Sequence, residues 1–284
     1  SGERMRSGSP VSGRDTESPP AQAQKRERDP GPGAGWIAAV GLGPGGEEHL
    51  TPEAKSTLEE ADCIAGYTTY IALLSEETLR DKEVVSTGMT GEIKRCRTAV
   101  ERALTGSNTA VVCSGDPGVY ALAGLLLEIL EEYDALETVP FRVVPGIPAF
   151  CAAAALLGAP LMHDFAVVSL SDLLTPWETI EKRIMAALDG DCVLVLYNPR
   201  SKKRSWQLPR VLELYSSRGV GDRPVGTVTN AAREGETVRL CTVDTLDPDE
   251  VDMFTTVIIG NSQTTRRNRV MLTPRGYMAK YERS

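Results

Sequence analysis

The stretch AVGLGPGGEEHL, Ala39 to Leu50, decides the fold class, because Gly41, Gly43 and Gly46 stand in the spacing G-x-G-x-x-G directly after an apolar run. In a dinucleotide fold such a turn runs straight into a helix whose N-terminus faces the pyrophosphate, and an acidic residue about 20 positions on takes the ribose. Neither condition is met here. The first helix signal is Thr51 as N-cap with Pro52 at the first helical position, beyond the reach of a helix dipole to the loop. The next apolar run ends in Gly66 and Tyr67, with Asp62 before it rather than after it. Pro44 also removes one backbone donor from any phosphate cradle. The stretch reads as a strand and ligand loop of an α/β fold; a nicotinamide-dependent oxidoreductase using Gly41 to Gly46 stays as the alternative from another class.

Outward from this loop, short β-branched runs alternate with segments of helical periodicity. The expected strands are WIAAVG, CIAG, EVVST, TAVVCS and FRVVPG, then FAVVSL, CVLVLYN, PVGTVT, VRLCTV and TTVIIG. Between them Ile93, Cys96, Val100 and Ala103, and later Leu122, Leu125, Leu126 and Ile129, repeat at three and four residues. Alternation of this kind predicts α/β layers with mostly parallel sheets. Ten strands are many for one open sheet, and a break near VVPGIPAF divides the body. The expectation is a flexible tail over 1–35, an N-terminal α/β domain over 36–146 and a C-terminal α/β domain over 147–284. The last two runs leave little room for a crossover helix, so that edge is expected to be antiparallel.

Composition narrows the class. With 41% hydrophobic and 25% charged residues the chain suits a soluble globular protein. No apolar run approaches the ~18 to 20 residues of a membrane span, and the N-terminus lacks an apolar signal core, so a cytoplasmic protein without membrane partners is expected. The tail holds six basic and five acidic residues, which leaves the body one charge more acidic than the chain's −8. An acidic body argues against binding to a nucleic-acid backbone. Six cysteines, Cys63, Cys96, Cys113, Cys151, Cys192 and Cys241, stand singly and far apart, which suits small buried hydrophobes in a reducing compartment and not a metal site.

Two further glycine-proline loops follow expected strands, in VVCSGDPGVYALAG and VVPGIPAFCAAAA. Three such turns at the C-terminal ends of parallel strands converge on the edge where α/β folds place ligands, and glycine lets a backbone approach a small ligand closely. VGLGPG, SGDPGVY and VPGIPAF, in this order and spacing, resemble the tetrapyrrole methylases, two-domain methyltransferases that use S-adenosylmethionine; the likeness runs from Trp36 to about Met278. HDFAVVSLSDLLTPWE, LYNPRSKKR, NAAREGE and GNSQTT resemble in particular the members that methylate carbon 17 of precorrin-3B and contract the ring. The resemblance implies a small-molecule tetrapyrrole substrate, a homodimer, and a ligand cleft between the two domains with S-adenosylmethionine as the cofactor in it.

Carried over by position, the resemblance places Pro44 beneath that ligand and Ser114, Gly115, Asp116 and Val119 around its amino-acid part, with Pro148, Ala149, Asn198 and Ala231 at the remaining contacts. Asp116 before Pro117 also suits a turn cap. A sulfonium methyl is already electrophilic, so alignment is the main task and no nucleophile motif is expected. Ring contraction moves a proton as well, for which His163 and Asp164 are the first candidates and Glu92 with Arg95 the second. His49, beside two glutamates, reads as a solvated surface residue. For the substrate carboxylates two basic clusters are candidates: Arg200, Lys202, Lys203 and Arg204, and Arg266, Arg267 and Arg269. The absence of a cysteine-rich extension favours a metal-free substrate over its cobalt counterpart. A methylase acting at another corrin position or on cobalt-factor III, and a binding protein that has lost catalysis, are the other readings.

Overall fold

The computed structural model describes residues 33–281. The flexible-tail expectation therefore falls largely outside the described residues. Its last residues do belong to the body: Gly35 donates its N–H to Ala103 O at 2.8 Å and Ala34 packs on the first core.

In the first half the order is β1 (Ile37–Gly41), α1 (Pro52–Glu60), β2 (Cys63–Tyr67), the short turns α2 (Thr68–Ile71) and α3 (Glu76–Leu79), β3 (Glu83–Thr87), α4 (Glu92–Leu104), β4 (Thr109–Cys113), α5 (Ala123–Glu132) and β5 (Phe141–Val144). The strands form one sheet, β3-β2-β4-β1-β5, parallel throughout. Helices cover both faces, which is why β1 and, after Thr109, β4 are apolar and both strands are fully buried. Helix α1 starts where the sequence signals it, with Thr51 Oγ1 accepting the Ala54 N–H at 3.0 Å and Pro52 at the first position. On α4, Cys96, Ala99, Val100 and Ala103 face the sheet, whereas Ile93 is exposed and Arg95 takes a buried place.

The second half runs α6 (Ala149–Leu157), β6 (Gly158–Ala159), β7 (Phe165–Ser169), α7 (Trp177–Asp189), β8 (Val193–Tyr197), α8 (Gln207–Ser217), β9 (Pro224–Thr229), β10 (Thr237–Thr242), β11 (Thr255–Ile259), β12 (Thr265–Arg267), β13 (Val270–Leu272) and α9 (Tyr277–Tyr281). Its sheet has the order β10-β9-β11-β8-β7. Only β7 and β8 pair in parallel; β8–β11, β11–β9 and β9–β10 are antiparallel. The expected antiparallel edge thus extends through most of this sheet, because β11 inserts between β8 and β9 rather than lying beside β10. A further small sheet, β12-β13-β6, has strands too short to show any alternation in sequence. Ala153 and Leu157 of α6 pack with Val193, Val195, Val228 and Ile258, so the chain has entered the second core by α6. Among the described residues no helix is long and apolar enough to cross a membrane.

The strand directions position the site. The C-terminal ends of β1, β4, β5, β8 and β9 and the N-terminal end of β11 meet at one cleft between the sheets.

Candidate functional site

Three loops of the first half build one wall. Gly43 and Gly115 exchange backbone hydrogen bonds, N–H to O at 3.1 and 2.9 Å, at φ of 69° and 66°. A methyl group on Gly146 would lie 2.2 Å from Gly115 O, and one on Gly41 would lie 2.7 Å from it, so this crossing of backbones requires glycine. Asp116 ties the second loop to the third: Oδ1 accepts the Gly118 N–H at 2.8 Å and Oδ2 the Gly146 N–H at 3.1 Å. The Gly43 amide is thus spent on Gly115 and not presented to a phosphate, which counts against the dinucleotide reading of Gly41 to Gly46. His49 is half-buried, with Nδ1 2.5 Å from Gly45 O, so it braces the glycine loop instead of standing free in solvent.

The second half supplies the opposite wall. Tyr197, at the end of β8, accepts the Phe150 N–H at 2.9 Å. Asn198 and Asn230 turn the chain just after β8 and β9, both with φ of 50°, a conformation asparagine tolerates. Asn198 Nδ2 donates to Ser169 Oγ at 3.0 Å. Arg233 reaches across the cleft: Nε donates to Pro44 O at 2.6 Å, Nη2 to Ser114 Oγ at 2.7 Å, and the guanidinium lies 6.0 Å from the Tyr70 ring centre. Tyr120 crosses in the other direction, its hydroxyl donating to Val167 O at 2.9 Å, with its ring 5.6 Å from that of Tyr197. Burial pushes the Tyr197 phenol up to about 12. Burial raises that of Tyr70 too, against the opposing field of Arg233. Both stay protonated at neutral pH.

The walls line one cleft that opens to solvent. Pro44, Ser114, Gly115, Asp116, Val119, Pro148, Ala149, Asn198 and Ala231, all nine expected cofactor positions, line it. Sequence reasoning missed Tyr70, Tyr120, Tyr197, Asn230, Arg233 and Phe254, which also line it. The signal for Arg233 was the motif NAAREGE itself, where an arginine follows a strand end and a left-handed asparagine.

The expected proton-transfer residues are not brought to the cleft. His163 and Asp164 precede β7, and Asp164 O accepts the Val193 N–H at the start of β8, so they lie at the opposite end of these parallel strands from Tyr197 and Asn198. They pair with each other, Nδ1 to Oδ2 at 3.6 Å. Arg95 is 3% exposed and donates from Nη1 to Thr87 Oγ1, with Nε unpartnered, while Glu92 sits in the first turn of α4; neither lines the cleft.

The two basic clusters part company. Arg204 donates from Nη1 to the carbonyl of the cleft residue Asn198, and burial lowers its pKa. Arg200 is held by Pro248 O at 2.7 Å and by Asp249, and Lys202 and Lys203 are exposed beside them. Arg266, Arg267 and Arg269 emerge at the far edge, because β11 runs antiparallel and its C-terminal end points away from the cleft. Arg266 is occupied there by Asn268 O at 3.2 Å and Leu240 O at 3.3 Å. Cysteine placement is also mixed: Cys63, Cys96 and Cys113 are buried as expected, but Cys151 is exposed.

A parallel α/β layer joined to a second, mostly antiparallel α/β layer, with a cleft between strand ends lined by residues of both, defines a two-layered protein with a central cleft of the small-molecule kind. Residues 37–247 match the family described as Tetrapyrrole (Corrin/Porphyrin) Methylases, and the chain belongs to that family. It is 46% identical over 241 residues to a protein of Salmonella typhimurium named "Probable cobalt-factor III C(17)-methyltransferase", covering 85% of this chain and 99% of the relative. It is 36% identical over 250 residues to the "Precorrin-3B C(17)-methyltransferase" of a Sinorhizobium species, covering 86% and 97%. The solved structure of the methyltransferase CobJ superposes with a TM-score of 0.81 at 38% identity, over 85% of this chain and all of the other.

Proposed function

We propose that this chain is an S-adenosylmethionine-dependent methyltransferase of corrin synthesis that methylates carbon 17 of precorrin-3B or its cobalt counterpart and contracts the ring. The observation that carries it is the convergence of all nine expected positions on one cleft, in a chain alike over most of its length to relatives named for that reaction.

The lining fits the ligand. Asn198 and Asn230 bring polar groups to the lining, while the faces of Tyr120, Tyr197 and Phe254 suit a cation near an aromatic ring. When bound, the sulfonium supplies an electrophilic methyl. Transfer of that methyl to the acceptor carbon would release a neutral thioether. The protein's part is to hold the acceptor in line and exclude water, an effect worth up to roughly 7 to 11 kcal/mol. The homodimer and the cytoplasmic location belong to the same proposal, on the family resemblance.

Incubation with S-adenosylmethionine and, in parallel, precorrin-3B and cobalt-factor III tests it. A product heavier by one methylene unit, with the absorbance of a contracted ring, supports the reading and shows which macrocycle is used. No mass gain with either macrocycle, from protein that binds S-adenosylhomocysteine, assigns the chain to ligand binding without catalysis.

A further inference from the structure

Beside the cleft, two loops carry an unusual surface. After β7 the chain is rooted by Leu170, fully buried with its N–H donating to Tyr197 O at 2.9 Å, and by Asp172, whose Oδ2 accepts from buried Gln207 Nε2 at 3.2 Å. Between this root and α7 stand Leu173 and Leu174, 87% and 98% exposed. Trp206, adjacent to Gln207, is 52% exposed and stands edge-on to Trp177, ring centres 4.8 Å apart. A single exposed leucine needs no explanation; here two in succession follow Asp172, whose bond to Gln207 brings their loop to the one that carries half-exposed Trp206, so both loops present apolar side chains to solvent.

The neighbouring charge says what covers it. Lys202, Lys203 and Arg204 precede Trp206 on the same loop, in a protein whose overall charge is −8. Arg204 is bonded to the carbonyl of Asn198, which lines the cleft, so this surface continues the ligand site. An apolar platform bordered by cations complements a flat macrocycle whose rim bears carboxylates. We propose that Leu173, Leu174 and Trp206 form the platform for the apolar face of the tetrapyrrole, with Lys202, Lys203 and Arg204 taking carboxylates at its rim. The proposal rests on the methyltransferase reading and deepens it.

The test is the L173S/L174S variant, with L173M/L174M as the conservative partner. Both sites are exposed, so the fold is expected to hold. The platform requires KM for the macrocycle to rise about tenfold or more in L173S/L174S, equivalent to about 1.4 kcal/mol, with kcat within about twofold, affinity for S-adenosylhomocysteine unchanged, and recovery in L173M/L174M. An unchanged KM alongside normal wild-type turnover overturns the platform alone. An unchanged KM with an altered sedimentation mass does the same and gives the leucines to contact with a second copy. Wild-type protein that turns over neither macrocycle overturns the methyltransferase reading and the platform together.

Discussion

Arg233 of the second half donates to Ser114 Oγ of the first half at 2.7 Å, and by the same fork to Pro44 O at 2.6 Å. One side chain therefore holds two of the three ligand loops against the opposite wall. Hydrogen bonds from a charged donor contribute about 1.5 to 3 kcal/mol each. Arg233→Ala is expected to weaken S-adenosylhomocysteine binding by about tenfold to a hundredfold in calorimetry. Arg233→Lys should recover only part of that, since an ammonium lacks the planar fork. Wild-type affinity in Arg233→Ala would mean that the loops hold their shape without the strap.

The second prediction concerns the crossing of backbones beneath the cleft. Gly146→Ala forces a methyl group to 2.2 Å from Gly115 O, a backbone atom held in turn by Gly43 N–H. Relief requires the second and third loops to separate, which breaks the Asp116 bond to Gly146 N–H. Overpacking of this kind costs typically 1 to 3 kcal/mol or more, or roughly 2 to 10 °C in melting temperature for a chain of this size. Calorimetry should show S-adenosylhomocysteine binding lost along with that stability. A variant that melts normally and binds normally would remove the glycine crossing from the site.

These two predictions concern loops that could be read in sequence, and the reason is local. Glycine and proline after a β-branched run mark a turn wherever they occur, and all ten expected strands are present. What the sequence did not carry was direction. A strand of four or five apolar residues looks the same running either way, so TTVIIG does not by itself show at which edge of the sheet Arg266 and Arg267 emerge. The insertion of β11 between β8 and β9 is a property of the sheet, set by pairings between residues as far apart as Leu196 and Val257. Arg233 was passed over for a related reason: its partners Pro44 and Ser114 lie far away in the chain and meet it only when the two layers are stacked.

Placement at the far edge yields the third prediction. Reversing charge at Arg266 and Arg267 should leave KM for the macrocycle and affinity for the methyl donor within about twofold of wild type, because both side chains lie beyond the opposite end of the sheet. His163→Ala should likewise retain turnover, where a residue moving the contraction proton would cost about 10² to 10⁴. Arg204→Ala, by contrast, frees the Asn198 carbonyl inside the ligand wall, and a raised KM is expected there. Loss of contraction in His163→Ala, with methylation retained, would restore that residue as an acid or base and demand a large movement to bring it to the substrate.

The buried thiols predict an alkaline limit to stability. Burial pushes Cys96 up to about 12, and Cys63 and Cys113 up to about 11, from an ordinary value of 9. In the unfolded chain these thiols ionise near pH 9, whereas in the folded protein they keep their protons up to 11 or 12. The native state thus binds more protons across that window. Its advantage is complete below pH 9 and is lost as pH rises through the folded values. Urea midpoints should stay level from pH 7 to about 8.5 and fall steadily above 9. Each such thiol contributes a slope of about 1.4 kcal/mol per pH unit within its window. Cys96→Ala removes the thiol with the highest value, so its alkaline slope should be shallower by that amount while the wild type retains the greater stability at neutral pH. An identical slope in both proteins would mean that alkaline unfolding is governed elsewhere, with the Tyr197 phenol, also held up to about 12 by burial, the next group to replace.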